Sequence, residues 1–323
     1  MISPLVTIVC ITYNHEKYIG QAIEGFLNQK TTFEMEILIH DDASTDNTAN
    51  IIREFQKKDK RIKVIFQKEN QYSIGAKPFL SVLRTGELAK YIAICEGDDY
   101  WTDPLKLQKQ VDFLEANPEY GMVHTSHAIY SEHEQKFLKR KFDAPEHNDN
   151  PTFEDILLKN PVSTLTVLAN TSLIRRVVSE FPDNNTWKMG DFPMWLGIAH
   201  YSKIKYLPDN TAVYRVLNNS LSNQLDFSKK MAMFNSVFEV KKWFIENYGC
   251  SDAVRKKVEV DYYKDKLKLA FVFREPETAF EAKQELLKTK AFNFLDALFV
   301  FGSRNRIKQL IVKVYLKLFV QNI

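Results

Sequence analysis

The sequence predicts an α/β protein with a mostly parallel sheet that carries helices on both faces, followed by a helical C-terminal region. Three observations predict this fold class. Apolar runs alternate with helix-like segments over the first 130 residues. Those runs lack the polar alternation of a half-exposed strand. Helical periodicity then continues from about residue 226 almost to the end.

The alternating part is expected to contain five strands and four helices. Short runs rich in β-branched residues predict strands over 6–11, 35–39, 62–66, 91–95 and 121–130. Apolar residues that recur every three to four positions, helped by Asp46 and Thr48 at one helix start and Pro104 in the first turn of another, predict the helices. These cover 17–29, 46–55, 77–88 and 104–116.

The regular alternation ends near residue 131. The charged, His-containing stretch 131–151 predicts a loop or a mobile connection. After it, 152–224 mixes short helices with extended pieces at 203–207 and 211–216. We therefore expect one domain over 1–224 and a helical region over 225–323.

Composition limits the classes of function. The chain has 323 residues with 44 Lys and Arg against 41 Asp and Glu, a net charge of +3, so no strong field would attract a nucleic acid. Cys10, Cys95 and Cys250 form no C-x-x-C motif and cannot all pair. Cys10 and Cys95 lie in apolar strand-like runs, where a free thiol behaves as a small apolar residue, and this favours a reducing compartment. The N-terminus lacks the pattern of a signal peptide, and no apolar run reaches the length of a membrane span. These features predict a cytoplasmic protein.

Three polar clusters follow predicted strands, at the point where each strand ends. They are Thr12-Tyr13-Asn14, the Asp-rich segment 41–46, and Glu96 to Trp101 with Asp98 and Asp99. The carboxyl ends of parallel strands share one edge of a sheet, where ligands bind. So many carboxylates at one edge repel each other unless a cation lies between them. The pattern favours Mg²⁺ or Mn²⁺ with a substrate diphosphate.

Each cluster also has a simpler explanation. The Asp-rich segment 41–46 is also explained as a helix cap with acidic first-turn residues, and 96–99 as a solvated turn. The two common glycine-rich phosphate loops, G-x-x-x-x-G-K-[ST] and G-x-G-x-x-G after the first strand, are absent from the sequence. Any phosphate would therefore be held through a metal and side chains.

The strings VTIVCITYN (6–14), HDDASTD (40–46) and YIAICEGDDYWTDP (91–104) resemble a family 2 glycosyltransferase of the GT-A, Rossmann-like fold. The last string is similar to the subgroup that makes bacterial capsule, exopolysaccharide or O-antigen. The strong similarity covers 5–118, with weaker similarity to about 224. The resemblance implies an inverting transfer of a sugar from a nucleotide-diphosphate sugar, most often a UDP-sugar, to an acceptor hydroxyl, with Mn²⁺ or Mg²⁺ as cofactor.

The resemblance also implies roles for individual residues. The nucleotide would be bound by Thr12, Tyr13, Asn14, Asp41, Asp42 and Asp98, with Asp42 at the base edge. The metal would be bound by Asp99 and Asp98. Glu96 stands where the family often has Asp, so its role stays open.

The catalytic base is expected in the second half of the domain. Asp191, in the string KMGDFPMWL, fits the family's acidic residue before a helix, although a plain helix cap explains it as well. Phe192 and Trp195 are candidate parts of the acceptor wall, where a sugar ring would stack on an aromatic side chain, with core packing as the alternative, and Trp101 is a further possible site residue. Arg215, in YRVLNNS, is a candidate contact to the diphosphate. Leu217 stands where the family has His, so no such contact is expected there.

The end of the helical region is strongly basic. Residues 288–323 contain seven Lys and Arg and one acidic residue, Asp296, with apolar residues between them. Helix breaks are expected earlier in this region, near Gly249 and Pro276. Basic helices with interleaved apolar residues either lie on an anionic membrane or form a partner contact. The acceptor would be a saccharide or a lipid-linked saccharide, and the protein would lie in the cytoplasm or against the inner face of the membrane.

Two other functions remain to be weighed. One is a metal-dependent sugar nucleotidyltransferase, whose glycine-rich N-terminal signature is absent here. The other is a catalytically silent GT-A-like scaffold in a polysaccharide assembly complex, which would be expected to have lost its acidic residues. Donor, acceptor, linkage and oligomeric state do not follow from these motifs.

Overall fold

The computed structural model describes residues 3–85, 87–138, 148–182, 187–217 and 226–319. The chain forms two compact units. We call the first, 1–185 with 190–223, the sheet unit, and the second, 186–189 with 224–323, the helical unit.

The sheet unit contains a nine-stranded sheet in the order β3-β2-β1-β4-β8-β6-β9-β5, with β7 paired to β6. Strands β3, β2, β1 and β4 are parallel, β8 runs antiparallel between β4 and β6, and β6 and β9 are again parallel. The strands are β1 Val6–Thr12, β2 Met35–Asp41, β3 Ile62–Phe66, β4 Tyr91–Ile94, β5 Tyr100–Trp101, β6 Tyr120–Ser131, β7 Lys136–Leu138, β8 Leu168–Asn170 and β9 Lys203–Val216.

Seven α-helices in the described residues belong to the sheet unit, and a 3-10 turn at Thr164–Thr166 precedes β8. They are α1 Ile19–Leu27, α2 Thr48–Lys58, α3 Pro78–Thr85, α4 Lys106–Ala116, α5 Phe153–Leu158, α6 Thr171–Ser179 and α7 Asp191–Tyr201. Nearly every residue of β1 and β2 is buried, which is the apolar pattern that predicted a sheet covered on both faces. The predicted α/β class is confirmed.

The parallel register brings three strand ends to one edge. Thr12 at the end of β1 pairs with Asp41 at the end of β2. The backbone N–H of Asp42 donates to the carbonyl of Thr12, and the N–H of Gly97 donates to the carbonyl of Ile11. The chain after β1, β2 and β4 is therefore held side by side by backbone hydrogen bonds.

The structure departs from the predicted elements in the second half of the sheet unit. The predicted extended pieces 203–207 and 211–216 form one strand, β9. Its pairing with β6 shifts register near Ser126, and this irregularity accommodates the residues 208–210 that separate the two pieces. In the stretch predicted as a loop, β7 forms a hairpin with β6, and 139–147 lie outside the described residues.

The helical unit contains α8 Phe227–Tyr248, α9 Asp252–Phe273, α10 Pro276–Lys288, α11 Phe294–Gly302 and α12 Arg306–Phe319. The predicted breaks are present: Gly249 has φ +75° after α8, and Pro276 opens α10. Its core forms between α9, α10, α11 and α12, around Leu267, Phe271, Leu286, Phe299 and Val312. No helix within the described ranges combines the length and the apolar character that crossing a bilayer requires.

Candidate functional site

The turns after β1 and β2 are joined side chain to backbone. Asn14, at φ +55°, accepts through Oδ1 from the N–H of Thr45 at 2.8 Å and donates its own N–H to Ser44 Oγ at 2.9 Å. Thr12 Oγ1 lies 3.1 Å from His15 Nδ1. An amide side chain tolerates the left-handed backbone needed here. Asn14 thus ties the turn after β1 to the turn after β2, and Thr12 lies beside it at the end of β1.

The two carboxylates at the end of β2 are buried and already engaged. Ser44 donates its hydroxyl to Asp41, and burial raises the pKa of the Asp41 carboxyl. The Asp42 carboxylate accepts the N–H of Gln71 at 2.8 Å and of Tyr72 at 3.1 Å. In this structure Asp42 therefore holds the turn at 71–72, and it is only 2% exposed.

Three carboxylates meet in the turn after β4. Glu96, Asp98 and Asp99 each offer an oxygen, and these oxygens lie within 4.8 Å of one another. Asp99 is buried, Asp98 is half-buried and Glu96 reaches solvent. The turn can pack this closely because Gly97 has no side chain: a Cβ there would lie 2.5 Å from Thr12 Oγ1. We call Glu96, Asp98 and Asp99 the acidic turn.

The acidic turn holds protons tightly. The pKa of Glu96 is raised to about 8, first because the surrounding protein reduces its hydration and then by the charges of Asp98 and Asp191. Burial and the charges of Asp98 and Glu96 raise the pKa of Asp99 well above its usual range. Three acidic groups at this spacing favour a shared proton or a bound cation.

Arg215 connects β9 to the acidic turn. Its backbone N–H donates to Asp99 Oδ1 at 2.8 Å, and its guanidinium Nη1 donates to the carbonyl of Asp98 at 2.6 Å. The side chain is 5% exposed. Since Asp99 accepts from the sheet itself, its orientation is fixed by the backbone of β9.

The other two guanidinium nitrogens of Arg215 also have protein partners. The guanidinium donates to the side-chain oxygen of Gln21 and pairs with Glu132 at 3.2 Å. Its carbon lies 4.3 Å from the ring centre of Tyr100 and 5.1 Å from that of Tyr18. In this structure Arg215 holds the acidic turn through its hydrogen bonds to Asp98 and Asp99, and its guanidinium contacts protein groups.

Asp191 occupies the first position of α7, with Gly190 as the helix cap. Its Oδ2 accepts the hydroxyl of Thr164 at 3.0 Å, and its Oδ1 accepts the N–H of Phe192 at 2.8 Å. The charge of Asp191 contributes to the raised pKa of Glu96, so the carboxylate lies near the acidic turn. The structure thus brings together two acidic groups that are about 95 residues apart in the sequence.

The aromatic candidates separate by burial. Tyr13 is 42% exposed beside the buried Thr12, so its ring is open to a ligand. Trp101 is buried, packs edge-to-face on Phe26 and donates Nε1–H to the carbonyl of Leu165. Trp195 has no exposed surface. Both rings are therefore core residues in this structure, which agrees with the core-packing alternative for Trp195.

Sequence reasoning missed the groups that support the acidic residues. They are Tyr18, Gln21, Glu132 and Thr164, together with His15, whose Nε2 lies 4.0 Å from Asp98. His15 directly follows the Tyr-Asn pair and could have been found from that position. Glu132 lies in the charged stretch 131–151 and the other three lie in segments with no polar cluster, and only the folded chain brings these four to the site.

The donor set of the acidic turn fits a hard divalent cation. It consists of carboxylate oxygens, the ligands that Mg²⁺ and Mn²⁺ prefer, and it leaves room for further ligands from solvent or substrate because Glu96 and Asp98 are accessible. Desolvation and then the neighbouring carboxylate charges raise the pKa of Glu96 and of Asp99, and a bound cation would relieve the repulsion between those charges.

Comparison with known proteins extends these observations. Residues 7–181 match the sequence family described as glycosyl transferase family 2. An uncharacterised protein of Mycobacterium tuberculosis is 35% identical over 216 residues, which is 65% of this chain and 58% of that protein. The chain therefore matches a little over half the length of that relative. The putative teichuronic acid biosynthesis glycosyltransferase TuaG of Bacillus subtilis is 28% identical over 221 residues, 68% of this chain and 82% of TuaG.

Solved structures share the fold. TarS of S. aureus in complex with UDP-GlcNAc superimposes with a TM-score of 0.67 at 17% identity, covering 98% of this chain and 93% of that one. The mannosyltransferase PcManGT of Pyrobaculum calidifontis, in complex with GDP-Man and Mn²⁺, gives 0.57 at 16% identity, covering 100% and 89%. The predicted fold, including the helical C-terminal region, is confirmed by these likenesses.

Proposed function

The chain belongs to glycosyltransferase family 2, and on that premise we propose that it transfers a sugar from a UDP-sugar to an acceptor hydroxyl during synthesis of a bacterial cell-surface polysaccharide. The observation that carries the proposal is the acidic turn, three carboxylates within 4.8 Å at the carboxyl end of a parallel strand, with Asp191 nearby. The complex of TarS with UDP-GlcNAc supports a UDP-sugar as the donor. The name of TuaG, a putative teichuronic acid biosynthesis glycosyltransferase, supports the class of pathway.

We infer that Asp98 and Asp99 hold Mn²⁺ or Mg²⁺, with Glu96 beside them. When bound, such a cation stabilises the negative charge that develops on the leaving nucleoside diphosphate. The chain's part is to fix the ligands: the N–H of Arg215 orients Asp99, and its guanidinium holds the carbonyl of Asp98. In this reading Arg215 acts on the diphosphate only through the turn that it supports.

The nucleotide lies along the ends of β1 and β2. Thr12, Asn14 and Asp41 form the wall, and Tyr13 offers an open ring against which a base can stack. Asp42 reaches the base edge in this proposal by exchanging one of its two backbone partners at 71–72 for the nucleotide.

Asp191 is the proposed general base. The hydroxyl of Thr164 fixes one oxygen of its carboxylate. Asp191 takes the proton of the acceptor hydroxyl as that oxygen bonds to the anomeric carbon, while the bond from this carbon to the diphosphate breaks on the opposite face. The anomeric configuration is therefore inverted in a single displacement.

The acceptor is proposed to be a saccharide, free or linked to lipid, and the enzyme to act in the cytoplasm or at the inner face of the cell membrane. What supports this is the pathway class of TuaG.

A thermal-shift titration with UDP, GDP, TDP and CMP, each with and without Mn²⁺, tests the proposal. A ligand that binds only the native state stabilises it, by about 2.7 kcal/mol at a hundred times its Kd. We expect stabilisation by UDP only when Mn²⁺ is present. The same metal-dependent response to another nucleotide would replace the UDP assignment, and no response to any pairing would contradict the proposed function.

A further inference from the structure

The last helix of the described chain, α12, presents two opposite apolar faces. One face, with Gln309, Val312 and Leu316, packs into the core of the helical unit. The other carries four large apolar side chains that are between 50% and 74% exposed. We call this set the outer stripe: Ile307, Leu310, Ile311 and Val314.

The spacing of the outer stripe makes it continuous. Its members stand at positions i, i+3, i+4 and i+7 of one helix, so they lie on a single face. Single exposed apolar residues are ordinary, but contiguous ones on a folded surface indicate a surface that another molecule covers. The helix already has a core face, so the stripe is not needed for packing within the helical unit.

Cations surround the outer stripe. Arg304, Arg306, Lys308, Lys313 and Lys317 lie on or directly before α12, and among the described residues none of the five pairs with a carboxylate. The sequence from 297 to 323 contains no Asp or Glu. The one acid of α11, Asp296, is buried and caps its own helix. The stripe therefore lies in an uncompensated positive surface.

We propose that α12 docks on an anionic lipid bilayer, with the outer stripe entering the boundary between headgroups and acyl chains and the five cations facing lipid phosphates. An amphipathic helix with this charge pattern lies in the plane of the interface. Its 14 residues span about 21 Å, too short to cross the hydrocarbon core. The inference concerns binding alone and does not depend on the proposed sugar transfer.

The charges favour lipid over a second copy of the chain. In a symmetric pair joined through the outer stripe, the cations of one copy would face those of the other. An anionic bilayer instead contributes about 1 kcal/mol, or about fivefold in partitioning, for each Lys or Arg near its surface.

The test is vesicle flotation of the full chain with two kinds of liposome, neutral phosphatidylcholine and the same lipid with phosphatidylglycerol. One variant changes Ile307, Leu310, Ile311 and Val314 to Ser, and a second changes Arg306, Lys308, Lys313 and Lys317 to Gln. The charge-matched control changes the exposed Lys57, Lys58, Lys256 and Lys257 to Gln, and Phe137→Ser serves as the apolar control. Circular dichroism checks that each variant is folded.

We expect the wild type and both controls to float with anionic vesicles, and to bind neutral vesicles weakly. The Gln variant should lose about 100-fold or more in anionic partitioning, and the Ser variant should bind neither vesicle. Equal binding by the Ser variant and the wild type would overturn the proposal. So would a wild type that ignores lipid but forms a dimer in solution that the Ser variant loses, since the stripe would then be a protein interface.

Discussion

The two units of this chain depart from the usual arrangement of polar and apolar residues in opposite ways. The sheet unit buries charged groups, among them Asp41, Asp42, Asp99 and Arg215, each with hydrogen-bond partners. The helical unit exposes apolar groups: nine of the fifteen large apolar side chains that are exposed in the described residues belong to this smaller unit.

The difference indicates that the sheet unit binds a charged ligand and that the helical unit offers a docking surface. Burying a charge is costly unless other groups satisfy it, so a buried acidic cluster indicates a site arranged for a ligand of opposite charge. Exposed apolar surface is tolerated where another surface covers it. If sugar transfer resides in the sheet unit alone, substitutions there should change turnover or nucleotide binding and leave vesicle binding unchanged.

Asp99→Asn should lower sugar transfer by about 1,000-fold or more, because a charged ligand oriented by β9 is lost from the proposed metal site. Turnover is measured as release of nucleoside diphosphate with Mn²⁺ present. Asp112→Asn, an exposed site on α4, is the matched control and should stay near the wild-type rate. Full turnover by the Asp99→Asn protein would remove the acidic turn from the mechanism, and vesicle binding should be unchanged in both variants.

Asp191→Asn should lower kcat by about 100- to 10,000-fold, the range expected for loss of a general base. Binding of donor nucleotide with Mn²⁺ should stay within a few fold of wild type, since the acidic turn is intact. Comparing kcat with the nucleotide Kd separates the two roles. A parallel loss of nucleotide binding would show instead that Asp191 shapes the site through its hydrogen bonds to Thr164 and Phe192 at the start of α7.

The pH dependence of metal binding should report on Glu96. Its pKa is about 8 in the folded chain and 4.5 for an ordinary Glu, so the folded metal-free protein holds an extra proton between these values. Its free energy of unfolding should therefore fall as pH rises through this window. Binding of Mn²⁺ must displace that proton, so affinity should rise about tenfold per pH unit below 8.

This is measured by thermal shift at pH 6, 7 and 8 with and without Mn²⁺. Glu96→Gln has one proton fewer to displace and should make the dependence of Mn²⁺ affinity on pH shallower, leaving the part that comes from Asp99, whose pKa is also raised. An unchanged slope in that variant would assign the titration to another group.

The smallest expected effect is on stability at the close contact between two strand ends. Gly97→Ala should lower the free energy of unfolding by about 1–3 kcal/mol, because the added methyl group would overlap Thr12. Gly20→Ala in α1 is the matched control: its nearest neighbour is 3.8 Å away, so helix propensity should stabilise the chain by up to about 1 kcal/mol. If Gly97→Ala and the wild type had equal denaturation midpoints, the Thr12 side chain would have moved away from the added methyl group at no measurable cost.

The alternation of strands and helices, and the meeting of Thr12, Asp41 and Asp99 at one edge, follow from local patterns and the topology of parallel sheets. The support for Asp99 does not. Arg215 lies 116 residues further along the chain, and only the pairing of β5 with β9 brings the two together. No local pattern contains that information.

Burial of aromatic residues was equally hard to predict. From Phe192 to Ile198, every residue of α7 is buried, so the helix lacks the one-sided pattern that would distinguish a site-facing ring from a core ring. Trp195 was a plausible sugar contact on sequence grounds and proves to be fully enclosed.

The central claim is that converging strand ends form one metal-dependent nucleotide site in the sheet unit. Electron paramagnetic resonance of free Mn²⁺, titrated with the chain in the presence and absence of UDP, tests it most directly. The account predicts that UDP strengthens Mn²⁺ binding to one ion per chain, and that Asp99→Asn abolishes this effect while the outer-stripe Ser variant retains it. Uptake of Mn²⁺ in the presence of UDP that is equal in wild type and Asp99→Asn, or absent in the wild type, would contradict it.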